Sequence, residues 1–97
     1  MKFKDVTKQR PDIVHYLINI LKNDTVKVFE RGGTRVIFSS NFQEDHASVS
    51  NPYRQINEKE IKFVISILKT APENITMSHG NLGVTHFCHY KSKQKVN

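Results

Sequence analysis

Two nine-residue segments of this chain match each other. Val14–Lys22 (VHYLINILK) aligns with Ile61–Lys69 (IKFVISILK), and seven of the nine columns are apolar on apolar or identical. Each segment is followed by a break, a β-like run, a glycine-containing turn and a second β-like run. In the first copy these are Thr25–Arg31, Gly32-Gly33 and Thr34–Ser39. In the second they are Asn74–His79, Gly80 to Gly83 and Val84–Tyr90. A repeated unit of this kind predicts a repeated supersecondary element, here helix–strand–strand.

Periodicity supports both helices. Ile13, Tyr16, Leu17, Ile20 and Leu21 fall at i, i+3, i+4, i+7 and i+8, and Ile61, Val64, Ile65 and Leu68 repeat the stripe. Pro11 suits a first helical turn, where its missing N–H would have no partner. Asn57, with Glu60 three residues on, predicts a capping box, and Pro72 stops the second helix. A second apolar row, Val14 with Ile18 and Phe63 with Ile67, requires cover from the other helix or from another chain.

The Gly32-Gly33 pair predicts a two-residue primed turn, because glycine takes positive φ at little cost. That turn sets Glu30 opposite Arg35, Phe29 opposite Val36, Val28 opposite Ile37 and Lys27 opposite Phe38. Side chains alternate, so Val26, Val28 and Ile37 share one face, while Phe29, Val36 and Phe38 share the other. An edge strand at Lys2–Val6 completes the pattern. The expected class is α+β: a two-layer sandwich of an antiparallel sheet with two helices on one face, a pseudo-repeat (β)αββ–αββ.

The 97 residues suffice for one domain. Its parts are a basic segment 1–10, a first αββ unit 11–39, a polar linker 40–56, a second unit 57–90 and a basic tail 91–97 that frays. Phe42, Tyr53 and Ile56 are the expected anchors of the linker. Formal charge is +6. Segment 1–10 has four bases against Asp5, and 91–97 adds three lysines, so residues 11–90 are neutral. One cysteine, Cys88, excludes an intrachain disulfide. No apolar run approaches the roughly 20 residues that span a bilayer, and no signal-peptide core follows Met1. These features predict a cytoplasmic protein without membrane contact.

Chemistry-bearing residues are few. His79, His86, Cys88 and His89 gather near the C-terminus, but alternation puts His86 and Cys88 on one face and His89 on the other. No paired ligand spacing completes a zinc set, so neither a metal nor another cofactor is expected. A small ribonuclease built on His86 or His89 with Arg31 or Arg35 is the remote alternative. Nucleophile motifs and a phosphate loop are absent from the sequence, which predicts no enzyme.

The remaining signal is the sheet face expected to lie opposite the helices. Lys27, Phe29, Arg31, Arg35, Phe38, Phe87 and His89 are its candidate binding residues. An apolar patch with a charged rim is how a protein partner docks. The first expectation is therefore a small non-enzymatic regulator or inhibitor, of the kind a phage or mobile element uses, acting by protein contact. Aromatic and basic residues on an open sheet are also how single-stranded nucleic acid is held; nucleic-acid binding through the basic ends and hairpin Lys/Arg is the alternative. The apolar surplus of helix rows and outer hairpin face predicts a symmetric homodimer.

Overall fold

The computed structural model describes residues 2–91; the lysines of the expected basic tail beyond Lys91 lie outside them. The chain is α+β, an antiparallel six-stranded sheet with two helices. Strand β1 (Lys4–Asp5) leads through a 3₁₀ turn into α1 (Pro11–His15), which continues as a π-helical turn over Tyr16–Ile20. Strands β2 (Thr25–Arg31), β3 (Thr34–Ser40) and β4 (Glu44–Ser50) follow. Helix α2 (Glu58–Leu68) precedes β5 (Thr76–His79) and β6 (Val84–Tyr90). The sheet order is β1-β2-β3-β4-β6-β5.

The first hairpin has the expected register, Glu30 on Arg35 through Lys27 on Phe38. Both turn glycines have positive φ, 54° at Gly32 and 87° at Gly33. The linker expected over 40–56 is a strand in its first half. Its only apolar residues between 44 and 50 are Ala47 and Val49, so it has the two-residue alternation but little hydrophobic weight. Both are fully buried, and β4 bridges β3 to β6 as the centre of the sheet.

Helix α2 begins as its sequence predicts. Asn57 accepts a hydrogen bond from the Glu60 N–H (2.9 Å), and the Glu60 carboxylate accepts one from the Asn57 N–H (2.8 Å). It ends at Lys69 in the left-handed region. Val64 and Leu68 pack with Val36, Ala47, Val49 and Phe87, and Phe29, Phe38, Phe63, Ile56 and Ile67 border that core. Phe3 stacks on Phe63 with ring centroids 4.3 Å apart, and Phe29 meets the same ring edge-on at 5.3 Å. The hairpin face expected to be open is therefore the one that α2 covers. Its aromatics match the large side chains of α2, whereas Val26 and Val28 offer only a small surface.

Helix α1 does not sit beside α2. Val26 and Val28 are buried on the opposite face, and Arg10 at the head of α1 donates to Glu30, the carboxylate that also accepts from Arg35, on that same face. Lys27, on the α2 face at this edge, stays exposed. Leu17 is half-buried, but Ile20 is 58% and Leu21 50% exposed, so neither joins the Val64–Leu68 core expected for them. Within α1 itself, a π turn also interrupts the stripe. Leu21 N–H bonds Tyr16 C=O, five residues back, which widens the helix and rotates the last stripe residues off the line.

Candidate functional site: a basic groove at the hairpin end

Pairing of β1 with β2 sets Lys4 opposite Glu30. Glu30 in turn faces Arg35, and Arg10 reaches down from the start of α1. Arg10 Nη2 lies 3.0 Å and Nε 3.2 Å from Glu30 Oε2, and Arg35 Nε donates to the same oxygen at 2.9 Å. Partial burial works against the Glu30 charge, but the bonds from Arg10 and then Arg35 outweigh it and hold this carboxyl below its usual range. These residues, with Arg31, Gly32 and Gly33, line an open groove of about 710 Å³ whose far side is Ser50, Pro52, Leu82 and Val84. Four cations and one carboxylate thus line the groove, and of the four Arg10 and Arg35 bond that carboxylate. Lys4 and Arg31 make no side-chain ion pair among the described residues.

The groove wall is braced from behind by a buried carboxylate. Glu60 is 1% exposed and accepts hydrogen bonds from Arg54 Nη2 (2.7 Å), Arg54 Nη1 (3.0 Å) and Thr34 Oγ1 (2.7 Å) besides its cap bond. Asn51 Nδ2 donates to Thr34 Oγ1 at 2.8 Å, and Asn51 Oδ1 accepts the Tyr53 N–H at 2.8 Å. The Arg54 bonds lower the Glu60 pKa most, burial opposes them, and Thr34 and the Asn57 N–H add to the lowering; the result is about 2. This set, rather than Phe42 or Tyr53, pins the segment before α2; both aromatics are exposed and only Ile56 packs on the core.

Of the seven candidate residues, the structure brings Arg31 and Arg35 together and adds Lys4 and Arg10. Phe29, Phe38 and Phe87 belong to the α2 core, and Lys27 is exposed outside the groove. His89 faces Asp45 across the strands, with Nδ1 3.6 Å from Oδ2, and Lys91 Nζ approaches the other Asp45 oxygen at 3.5 Å. Lys4 and Arg10 were legible only as part of a basic N-terminal segment; nothing in their spacing points to a hairpin twenty residues away.

The histidines divide between the faces as alternation requires. His86 and Cys88 share a face with His46, and His46 Nε2 is 3.1 Å from His86 Nδ1. Burial, then the neighbouring His86, lowers the His46 pKa against the pull of Glu44. His79 pairs with Thr85 on the other face. Among the described residues no three His, Cys, Asp or Glu side chains are grouped to hold a metal ion. No helix there is long and apolar enough to cross a membrane.

Residues 1–86 match the family described as "domain of unknown function (DUF1827)", and the chain belongs to that family. The fold resembles that of a crystal structure of a conserved protein of unknown function from Streptococcus thermophilus LMG 18311. The TM-score is 0.78 at 15% sequence identity, over 96% of this chain and 99% of that one. No curated protein matches this chain in sequence.

Proposed function

We propose that this protein is a non-enzymatic binding module whose basic groove holds the phosphate groups of a nucleic acid. One observation carries the reading: Lys4, Arg10, Arg31 and Arg35 line one concave surface together with a single carboxylate, Glu30, an excess of three positive charges. A polyanion that binds there releases its condensed counterions. The Arg10–Glu30–Arg35 bonds hold two of the guanidinium groups in place before any ligand arrives, which lowers the ordering cost of binding. A cytoplasmic setting is part of this proposal, in keeping with the free thiol of Cys88.

The test is binding of labelled nucleic acid across a salt series. Neutralising about three phosphates of a single strand gives a log–log slope near −2. Arg31→Ala and Lys4→Ala, at exposed positions, should each weaken binding and flatten that slope by roughly 0.7. Binding absent at low salt, or unchanged in the double variant, would remove the reading.

Protein contact has a separate observation in its favour, at a different place from the sheet face. Tyr16, Ile18, Ile20 and Leu21 are all exposed on the α/π turn of the first helix. A second copy of the chain is the partner we propose for them.

A further inference from the structure

We infer that the nucleic acid this groove takes is single-stranded, with one base laid against Tyr53 while the phosphates lie on Lys4, Arg31 and Arg35. The inference rests on the groove reading above and adds the form of the ligand. Its basis is a pair of large side chains left in solvent, one in the groove and one beside the turn at its end. Tyr53 is 86% exposed and Leu82 is 95% exposed. Leu82 lines the groove itself. Tyr53 stands beside the turn that forms the groove's end: a Cβ on Gly33 would lie 3.8 Å from its Cδ2 and 3.9 Å from its Cε2.

Exposure alone would say little, since lone surface aromatics are common. The Tyr53 backbone is held, however, through the Asn51 side chain, which also donates to buried Thr34 next to Glu60. The ring therefore projects from a fixed mount at the edge of a cationic groove, where it covers no core. Phosphate contacts place a strand without reading it, whereas an aromatic face adds energy only when a base is free to leave its stack. In a duplex the bases are already stacked on each other, so Tyr53 would gain nothing. Tyr53 and Arg31 beside the same Gly-Gly turn combine the two elements of a single-strand site, an electrostatic track and a stacking platform.

Fluorescence anisotropy of the full chain with labelled single strands of about ten nucleotides, DNA and RNA, against a duplex of the same sequence tests this. Inorganic polyphosphate serves as the base-free polyanion. Tighter binding of either single strand than of duplex and polyphosphate is expected, and the stronger of the DNA and RNA arms identifies the sugar. Tyr53→Ala should weaken single-strand binding roughly five- to a hundredfold with an unchanged salt slope, and Tyr53→Phe should restore it. Circular dichroism melts check that both variants are folded. Equal binding of duplex or polyphosphate, or a Tyr53→Ala protein that binds like the parent, overturns the single-strand inference while the groove reading stands. Failure of every polyanion to bind at low salt overturns both.

Discussion

Glu60 carries two duties that differ in how visible they are from sequence. As the third residue after Asn57 it completes a capping box, and that spacing is plain in the chain. As a buried anion it depends on Thr34, 26 positions earlier, and on Arg54, and no local pattern links them. Its folded pKa of about 2 against an ordinary 4.5 means the unfolded chain takes up the proton first as pH falls. Stability is therefore present above about pH 4.5 and drains away between there and pH 2, by up to about 3 kcal/mol at roughly 1.4 kcal/mol per unit. Denaturant midpoints at pH 7 and pH 3 should show about 2 kcal/mol of that loss in the parent. Glu60→Gln should start about 2–3 kcal/mol lower and show less acid dependence, since a buried partner has been removed. His46 obeys the same sign at a higher pH. Its lowered pKa makes the folded state resist protonation, so stability falls as pH drops below the usual histidine range. Ring-proton NMR should find His46 titrating below an ordinary histidine, and His86→Ala should move it upward; no upward movement would deny the His86 contribution.

Helix α1 and strand β4 show where element-scale reading stops. The α1 stripe is a genuine 3.6-residue pattern over Ile13–Leu17, but the i+5 bond of the π turn breaks the period before Ile20. Strand β4 has the right alternation but reads as linker, because Ala47 and Val49 are small among serines and acids. Its burial comes from neighbours on both sides, which a single segment does not display. In α2 cap, stripe and stop agree with one another, and the helix lies where they put it. The exposed end of α1 carries a consequence for association. Tyr16, Ile18, Ile20 and Leu21 forgo about 1.5–3 kcal/mol for each side chain that a contact would fully bury. Light scattering at micromolar concentration should report a dimer, which Ile20→Asp converts to a folded monomer. Phe38, one of the outer-face residues that suggested a dimer, borders the α2 core, so a substitution there would test packing and not association. A monomeric parent would mean that these side chains stay wet.

At the scale of the molecule, the repeat and the charge distribution are both legible in outline, and the topology changes what each implies. The sheet is antiparallel throughout and β4 stands between the two hairpins, so β2 runs with β5 and β3 with β6. A rotation that carries one hairpin onto the other while keeping strand direction has its axis along β4, and such a rotation exchanges the faces of the sheet. The unforeseen central strand thus accounts for a helix on each side where the repeat alone suggests two on one. Charge follows a similar course. The excess of segment 1–10 is evident from composition, yet only the β1–β2 register delivers Lys4 and Arg10 to the hairpin end beside Arg31 and Arg35. That delivery hangs on Phe3, whose ring stacks on Phe63 of α2 and ties a two-residue edge strand to the core. Phe3→Ala should cost about 2 kcal/mol of stability, as a partly buried aromatic does. It should also free the segment that positions Lys4 and Arg10, so nucleic-acid affinity falls in a protein whose α2 core still melts cooperatively. Hydrogen exchange would then quicken at Val6, whose N–H bonds Val28 C=O, ahead of the β3–β4 amides. Unchanged affinity in this variant, with Val6 exchanging rapidly, would mean that β1 contributes nothing to the groove and that Arg31 and Arg35 bind alone.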